Sequence, residues 1–234
     1  MPIAIKVIIV VICSYFLGNI TFARPLSKSI NDDITTHGSG NPGTMNMMRT
    51  HGAKFGILTL VLDALKGVVS CLTAYYIFKG RDGGELAELM KVVAGFSCFI
   101  GHLYPVVYKF KGGKGVATAC GIGFCINPLL MIPIAIIFIA VLFSTEIASL
   151  SSMTAVATFI LIHTIFYILD GYYFCLIPIY LILMFVIYAH RANIVRLIHG
   201  NENKVHVRKY FQKKEKQDDT NKSNEKVEED KKDC

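Results

Sequence analysis

The chain has 234 residues, 53% of them hydrophobic, with a mean hydropathy of +0.49; this excludes an ordinary soluble domain and makes the lipid bilayer the expected solvent. The net charge of +7 does not indicate nucleic acid, because much of the Lys and Arg flanks apolar segments or falls in the C-terminal tail, as juxtamembrane cytosolic residues do. The seven cysteines form no CxxC pair and six lie in or beside apolar runs, so they read as small reduced hydrophobes and not as a disulfide framework or metal site.

Apolar segments fall at about 3 to 23, 55 to 78, 87 to 108, 116 to 127, 129 to 143, 150 to 169 and 173 to 189. The first follows Lys6 as a signal peptide would, yet no small-x-small cleavage site comes after it and more spans do, so a retained helix is expected. In the second, Asp63 and Lys66 stand at i, i+3. A charge at membrane depth costs about 2.5 to 3.5 kcal/mol, so the two read as a structural pair supporting the site. The fourth segment is short and ends at Asn127-Pro128, a turn signal that divides an overlong stretch into two helices, one of them tilted or partly sunk in protein. From about Asn203 to Cys234 a mixed-charge tract holds almost no aliphatic residues and is expected to be disordered. The expected domains are therefore a membrane domain over 1–202 and a charged tail over 203–234.

The intervening segments 24 to 54, 109 to 115 and 190 to 202 are basic, and the positive-inside rule turns them to the cytosol. Counting from an external N-terminus, seven spans bring the tail inside. Lys79 and Arg81 in the loop 79 to 86 run against this count, although Asp82 and Glu85 accompany them. The expected fold is all-α and polytopic, with seven transmembrane helices.

Three polar segments carry the chemistry. The first runs Gly38-Ser39-Gly40-Asn41-Pro42-Gly43-Thr44-Met45-Asn46-Met47-Met48-Arg49. Glycines let backbone N–H groups converge on an anion, and Ser39, Asn41, Asn46 and Arg49 add side-chain donors. Gly38, Gly40 and Gly43 also satisfy GxGxxG, but no strand precedes them, so a dinucleotide fold is excluded; a plain glycine turn is the alternative. The second segment, Lys111-Gly112-Gly113-Lys114-Gly115, sits before a helix and combines cations, glycines and a helix N-terminus as a phosphate site does. Gly115 stands where a Walker A loop has Ser or Thr, and a positive-inside anchor is the alternative. The third holds His190 and Asn193, three apart and able on a helix to reach one ligand, although a lone interfacial His is also commonly incidental. Ser149 lies in a further cytosolic segment and by default caps a helix.

Taken in order, from about Ser14 to Glu202, these segments resemble the membrane-integral bacterial acyl-phosphate:glycerol-3-phosphate acyltransferases. The resemblance implies seven helices, an external N-terminus, cytosolic motifs in the bacterial inner membrane, and acyl transfer from acyl phosphate to glycerol 3-phosphate without metal, cofactor or acyl carrier protein. It further implies that Ser39 and Arg49 act in catalysis, that the Gly112 to Gly115 loop binds glycerol 3-phosphate, that His190 and Asn193 contribute to activity, and that Glu202 supports structure. Two positions depart from the family pattern: Gly43-Thr44-Met45-Asn46 stands for Gly-Ala-Thr-Asn, and Thr21 for a proline.

An acyl phosphate is already activated, so placement and charge neutralisation replace a covalent nucleophile. On this reading Ser39, Gly40, Asn41, Gly43 and Asn46 hold the donor phosphate, and Arg49, Lys111, Lys114, Ser149, His190 and Asn193 grip the acceptor. Either His190 or the substrate's own phosphate takes the proton. The rival readings are a paralogue with altered donor or acceptor and a small transporter of phosphorylated metabolites. A transporter calls for repeats and midplane polar residues that the sequence does not show.

Overall fold

The protein is described by a computed structural model over residues 1–80 and 84–205. Arg81 and Asp82 of the expected outer loop, Cys234, and the part of the expected disordered tail from 206 onward lie outside the described residues. Among the described residues there are helices, turns and no strand. In chain order they are α1 (Ile3–Asn19), α2 (Ala23–Lys28), α3 (Thr44–His51), α4 (Ala53–Phe78), α5 (Glu85–Leu103), α6 (Val116–Ile126), α7 (Met131–Thr145), α8 (Ala148–Asp170), α9 (Leu176–Ala189) and α10 (Arg191–Ile198).

Each of the seven apolar segments forms a helix, yet length divides them. Ile3–Lys28, Ala53–Phe78, Glu85–Tyr108, Pro128–Thr145 and Ala148–Asp170 are long and apolar enough to cross a bilayer. A sixth crossing is reached if α9 and α10, bent by 55°, are joined. With 11 residues, α6 rises only about 16 Å against roughly 30 Å of hydrocarbon, so by length it is not a full span. It stops where Asn127 turns extended and its Oδ1 accepts the Leu129 N–H at 3.0 Å, with Pro128 starting a 3-10 turn.

The outer wall is apolar. Ile132, Ile136 and Ile139 of α7, three to four residues apart, are each more than half exposed; in water such a stripe invites aggregation, in lipid it is the expected surface. Inside, helices meet through glycine. A Cβ on Gly18 would lie 2.0 Å from the Cys98 carbonyl oxygen, and one on Gly101 would lie 2.1 Å from that of Tyr15, so α1 and α5 touch backbone to backbone. The contact between α4 and α6 is similar, with Gly121 set against the Ala64 carbonyl. Lipid tails are as apolar as the helices, so close van der Waals approach between small residues holds the bundle. Phe99, Ile122, Phe159, Tyr167, Ile179 and Ile182 fill the space between α5, α6, α8 and α9. This packing brings the polar segments to one end of the bundle.

Candidate active site

One cleft at that end is lined by the openings of three helices: Gly43, Thr44 and Met45 at α3, Gly115, Val116 and Ala117 at α6, and Ala148 and Ser149 at α8. First-turn N–H groups have no intrahelical partner and stand at the positive end of the helix dipole, so each opening favours an anion. Arg49, Lys114 and Arg196 line the same cleft. Gly115 is required for this geometry: its φ is +79° and a Cβ would sit 2.2 Å from the Phe99 ring. Of the residues expected from sequence, Ser39, Asn41, Gly43, Asn46, Arg49, Lys114, Gly115, Ser149, His190, Asn193 and Glu202 are together here.

A hydrogen-bonded chain crosses the cleft. Lys114 Nζ donates to Asn193 Oδ1, Asn193 Nδ2 donates to Glu202 Oε1 at 2.7 Å, and Arg196 Nε donates to Glu202 Oε2 at 2.8 Å. Burial opposes ionisation of Glu202, but the hydrogen bonds from Asn193 and Arg196 outweigh it and hold the carboxyl below its usual value. Burial depresses Lys114 to about 8, with the nearby charges of Arg196 and Arg49 adding to the effect. His190 lies at the bend between α9 and α10, not inside one helix as the i, i+3 reading required. Its Nδ1 is 2.9 Å from the Val186 carbonyl. A carbonyl only accepts, so the ring proton is on Nδ1 and Nε2 presents a lone pair. Burial, then the charge of Lys114, push this imidazole down to about 4.

Several expected contacts take another form. Asn46 lines the cleft but is spent on the loop: its Nδ2 donates to the Ile34 and His37 carbonyls at 3.1 and 3.0 Å, and its Oδ1 accepts the Ser39 N–H at 3.0 Å. Gly38 and Gly40 do not line the cleft; both have positive φ, and a Cβ on Gly38 would lie 2.3 Å from Asn46 Oδ1, so they shape the turn that Asn46 pins. Gly112 and Gly113 were expected to offer N–H groups to phosphate. Both amides instead donate, at 3.1 Å, to Leu103 and His102 carbonyls at the end of α5. Lys111 is exposed, outside the cleft, and its carbonyl accepts from Arg24 Nη2 at 2.8 Å.

The floor holds two groups that the sequence placed only loosely. Asp63 and His102 line it. Asp63 Oδ1 pairs with Lys66 Nζ at 2.8 Å with both side chains 1% exposed, and Lys66 Nζ also donates to the Gly18 and Ile20 carbonyls at 3.1 and 2.6 Å. His102 and Arg196 were not assigned roles from sequence. The signal for His102 was its place at the close of an apolar run, one residue after Gly101. Met45, where the resemblance to the family implies a threonine, also lines the cleft.

The segment after α10 folds back as a strap. Glu202 and Asn203 line the cleft, and Val205 N donates to the Glu146 carbonyl at 2.9 Å, so the packed chain runs past the expected boundary at 202. A chain ending at Val205 should retain activity within about twofold. One ending at Gly200 should lose about ten- to a hundredfold, the range for removing a charged hydrogen-bond partner, because Asn193 Nδ2 then loses the carboxylate that fixes the amide. Equal turnover of the two truncations, both membrane-inserted, would show the strap to be idle.

A family model described as glycerol-3-phosphate acyltransferase matches residues 8–200. A glycerol-3-phosphate acyltransferase of Finegoldia magna is 39% identical over 200 residues, covering 85% of this chain and 96% of that protein. One of Aquifex aeolicus is 36% identical over 205 residues, covering 85% and 99%. Among solved structures, PlsY, an integral membrane glycerol 3-phosphate acyltransferase, matches in its glycerol 3-phosphate form with a TM-score of 0.76 and 35% identity over 85% of this chain and 95% of that one. Its lysophosphatidic acid form gives a TM-score of 0.74 at 34% identity.

Proposed function

The chain belongs to the glycerol-3-phosphate acyltransferase family and is a membrane acyltransferase of phospholipid synthesis; from that premise we propose that it takes its acyl group from acyl phosphate and yields lysophosphatidic acid and inorganic phosphate. The observation that carries this is the meeting of three helix openings with Arg49, Lys114 and Arg196 in one cleft. Both proposed substrates carry a phosphate, and two anions brought side by side need that much positive potential.

Ser39, Asn41 and the opening of α3 hold the donor phosphate. Lys114, held by Asn193, takes the acceptor phosphate with the openings of α6 and α8. Arg49 meets charge on both. A hydroxyl oxygen of glycerol 3-phosphate bonds to the acyl carbon, and the bond to phosphate breaks with its electron pair leaving on phosphate. With its pKa near 4, His190 is a weak base at neutral pH. Its Nε2 lone pair instead orients the hydroxyl, and the proton passes to a substrate phosphate. No covalent enzyme intermediate is needed.

The same placement supports seven crossings with the cleft in the cytosol of a bacterial inner membrane. Both α6 and α8 open at the cleft, and α7 ends two residues before α8. The start of α7 therefore lies at the far side, and α6 with its Asn127-Pro128 turn has to reach it. Counting α6 as a crossing places the N-terminus outside and the strap inside, in keeping with the basic loops. On this reading the membrane domain runs through the strap, and the charged tail follows it on the cytosolic side.

Detergent-purified protein given acyl phosphate and labelled glycerol 3-phosphate should form labelled lysophosphatidic acid with one inorganic phosphate released per product. Product from an acyl thioester and none from acyl phosphate would overturn the donor assignment.

A further inference from the structure

The imidazole of His102 ends α5 at the floor of the cleft, 3% exposed. Its Nδ1 lies 2.7 Å from Lys66 Nζ and 3.5 Å from Asp63 Oδ1. An ammonium carries three protons and no lone pair, so a contact this short requires the Nδ1 lone pair to face it; Asp63 is too distant to take a proton from that atom instead. The ring is therefore neutral, with its one N–H on Nε2. Among the described residues no hydrogen bond to Nε2 is seen, and a Cβ at Gly113 would stand 2.2 Å from it. With no side chain at 113 this N–H is left uncovered on that side, and His102 itself lines the cleft.

We propose that His102 Nε2–H is a catalytic hydrogen-bond donor to the acyl carbonyl oxygen, with Lys66 fixing its tautomer. The cationic side chains of the cleft come from loops and short surface helices and suit the phosphates, whereas His102 and Asp63 belong to long helices and form the membrane-ward floor. An acyl donor has its chain in the bilayer and its phosphate at the surface, so its carbonyl lies between them, at the depth of this floor. A neutral, preorganised N–H strengthens its hydrogen bond as the carbonyl oxygen gains charge during attack. Gly113 is thereby reassigned from cradling a phosphate to keeping the donor uncovered. The inference rests on the acyl phosphate reading for the identity of the carbonyl alone.

The test uses purified full-length protein with acyl phosphate and glycerol 3-phosphate. Without the ring, Lys66 still has Asp63, Gly18 and Ile20 to receive its three protons, so His102→Leu should fold. It should lose about a hundredfold in kcat, the scale of one oxyanion donor, with KM for both substrates changed less than threefold. His102→Gln, which keeps an N–H at similar reach, should recover at least tenfold of that. Gly113→Ala sets a methyl group 2.2 Å from Nε2, so the ring has to shift and its N–H is blocked while the imidazole is retained; it should also lower kcat and spare the KM for glycerol 3-phosphate. A kcat for His102→Leu within threefold of wild type, or a loss in Gly113→Ala confined to the acceptor KM, overturns the proposal. Should His102→Leu melt far below wild type, Gly113→Ala decides alone. If wild type uses only a thioester, the donor reading falls, and the same variants are compared on the thioester carbonyl.

Discussion

Lys114→Met should lower kcat/KM for glycerol 3-phosphate by about a thousandfold, as expected when one member of a largely desolvated charge pair is truncated and roughly 4 kcal/mol is lost. Lys114 is held by Asn193, while Arg196 is committed to Glu202 and Arg49 stands on α3, so no other group can swing into its place. Its depressed pKa adds a second signature. Only the protonated amine attracts phosphate, so kcat/KM, which reports the free enzyme, should fall as pH rises through about 8. Bound phosphate stabilises the ammonium, so the limb in kcat should lie higher. Lys114→Arg should lower the plateau, because the guanidinium geometry differs, yet keep its charge through the same range and erase this limb. A Lys114→Met enzyme within tenfold of wild type, or an unchanged limb in Lys114→Arg, would remove Lys114 from the acceptor site.

Asp63→Ala should destabilise the protein by about 3 to 5 kcal/mol, since it leaves the Lys66 ammonium 2% exposed with neutral carbonyls and an imidazole for company. For a chain of this size that is a melting point lower by roughly 6 to 20 °C in detergent. The double variant Asp63→Leu with Lys66→Met removes both charges and should regain at least half of the loss, because replacing a buried ion pair with apolar groups avoids its desolvation penalty. A single variant that melts within about 2 °C of wild type would mean that water reaches the pair and that it is no more than a surface salt bridge.

Short-range pattern carried much of this architecture into view. The apolar runs become helices with ends near those expected, because length and hydropathy act locally. Asp63 and Lys66 pair as their spacing requires, since both lie inside one regular helix. Lys114 ahead of a helix opening, and the Ser39 to Arg49 segment, meet in the cleft because glycine freedom and helix dipoles are also local properties. What stayed hidden depends on elements distant in sequence. Gly112 and Gly113 look like any phosphate loop until α5 is seen to claim their amides. Asn46 looks like a ligand until the Ile34 and His37 carbonyls are seen to take both its protons. No local rule marks His102, whose tautomer is set by Lys66 of another helix, or the return of the strap to Glu146. The shortness of α6 was legible, as was its being tilted or partly sunk in protein, but that α4 is its partner is seen only in the contact of Gly121 with the Ala64 carbonyl.

The strap has a consequence for biogenesis. Ser39 and Arg49 come from the segment after the first helix, while Asn193, Arg196 and Glu202 follow the last long apolar helix and, with Asn203, leave the ribosome after every other group of the cleft. A nascent chain whose final helix has not yet entered the bilayer therefore holds Lys114 without its Asn193 partner and an open-sided cleft. Partial insertion should therefore yield no fully working fragment, and full turnover should begin only when assembly is complete.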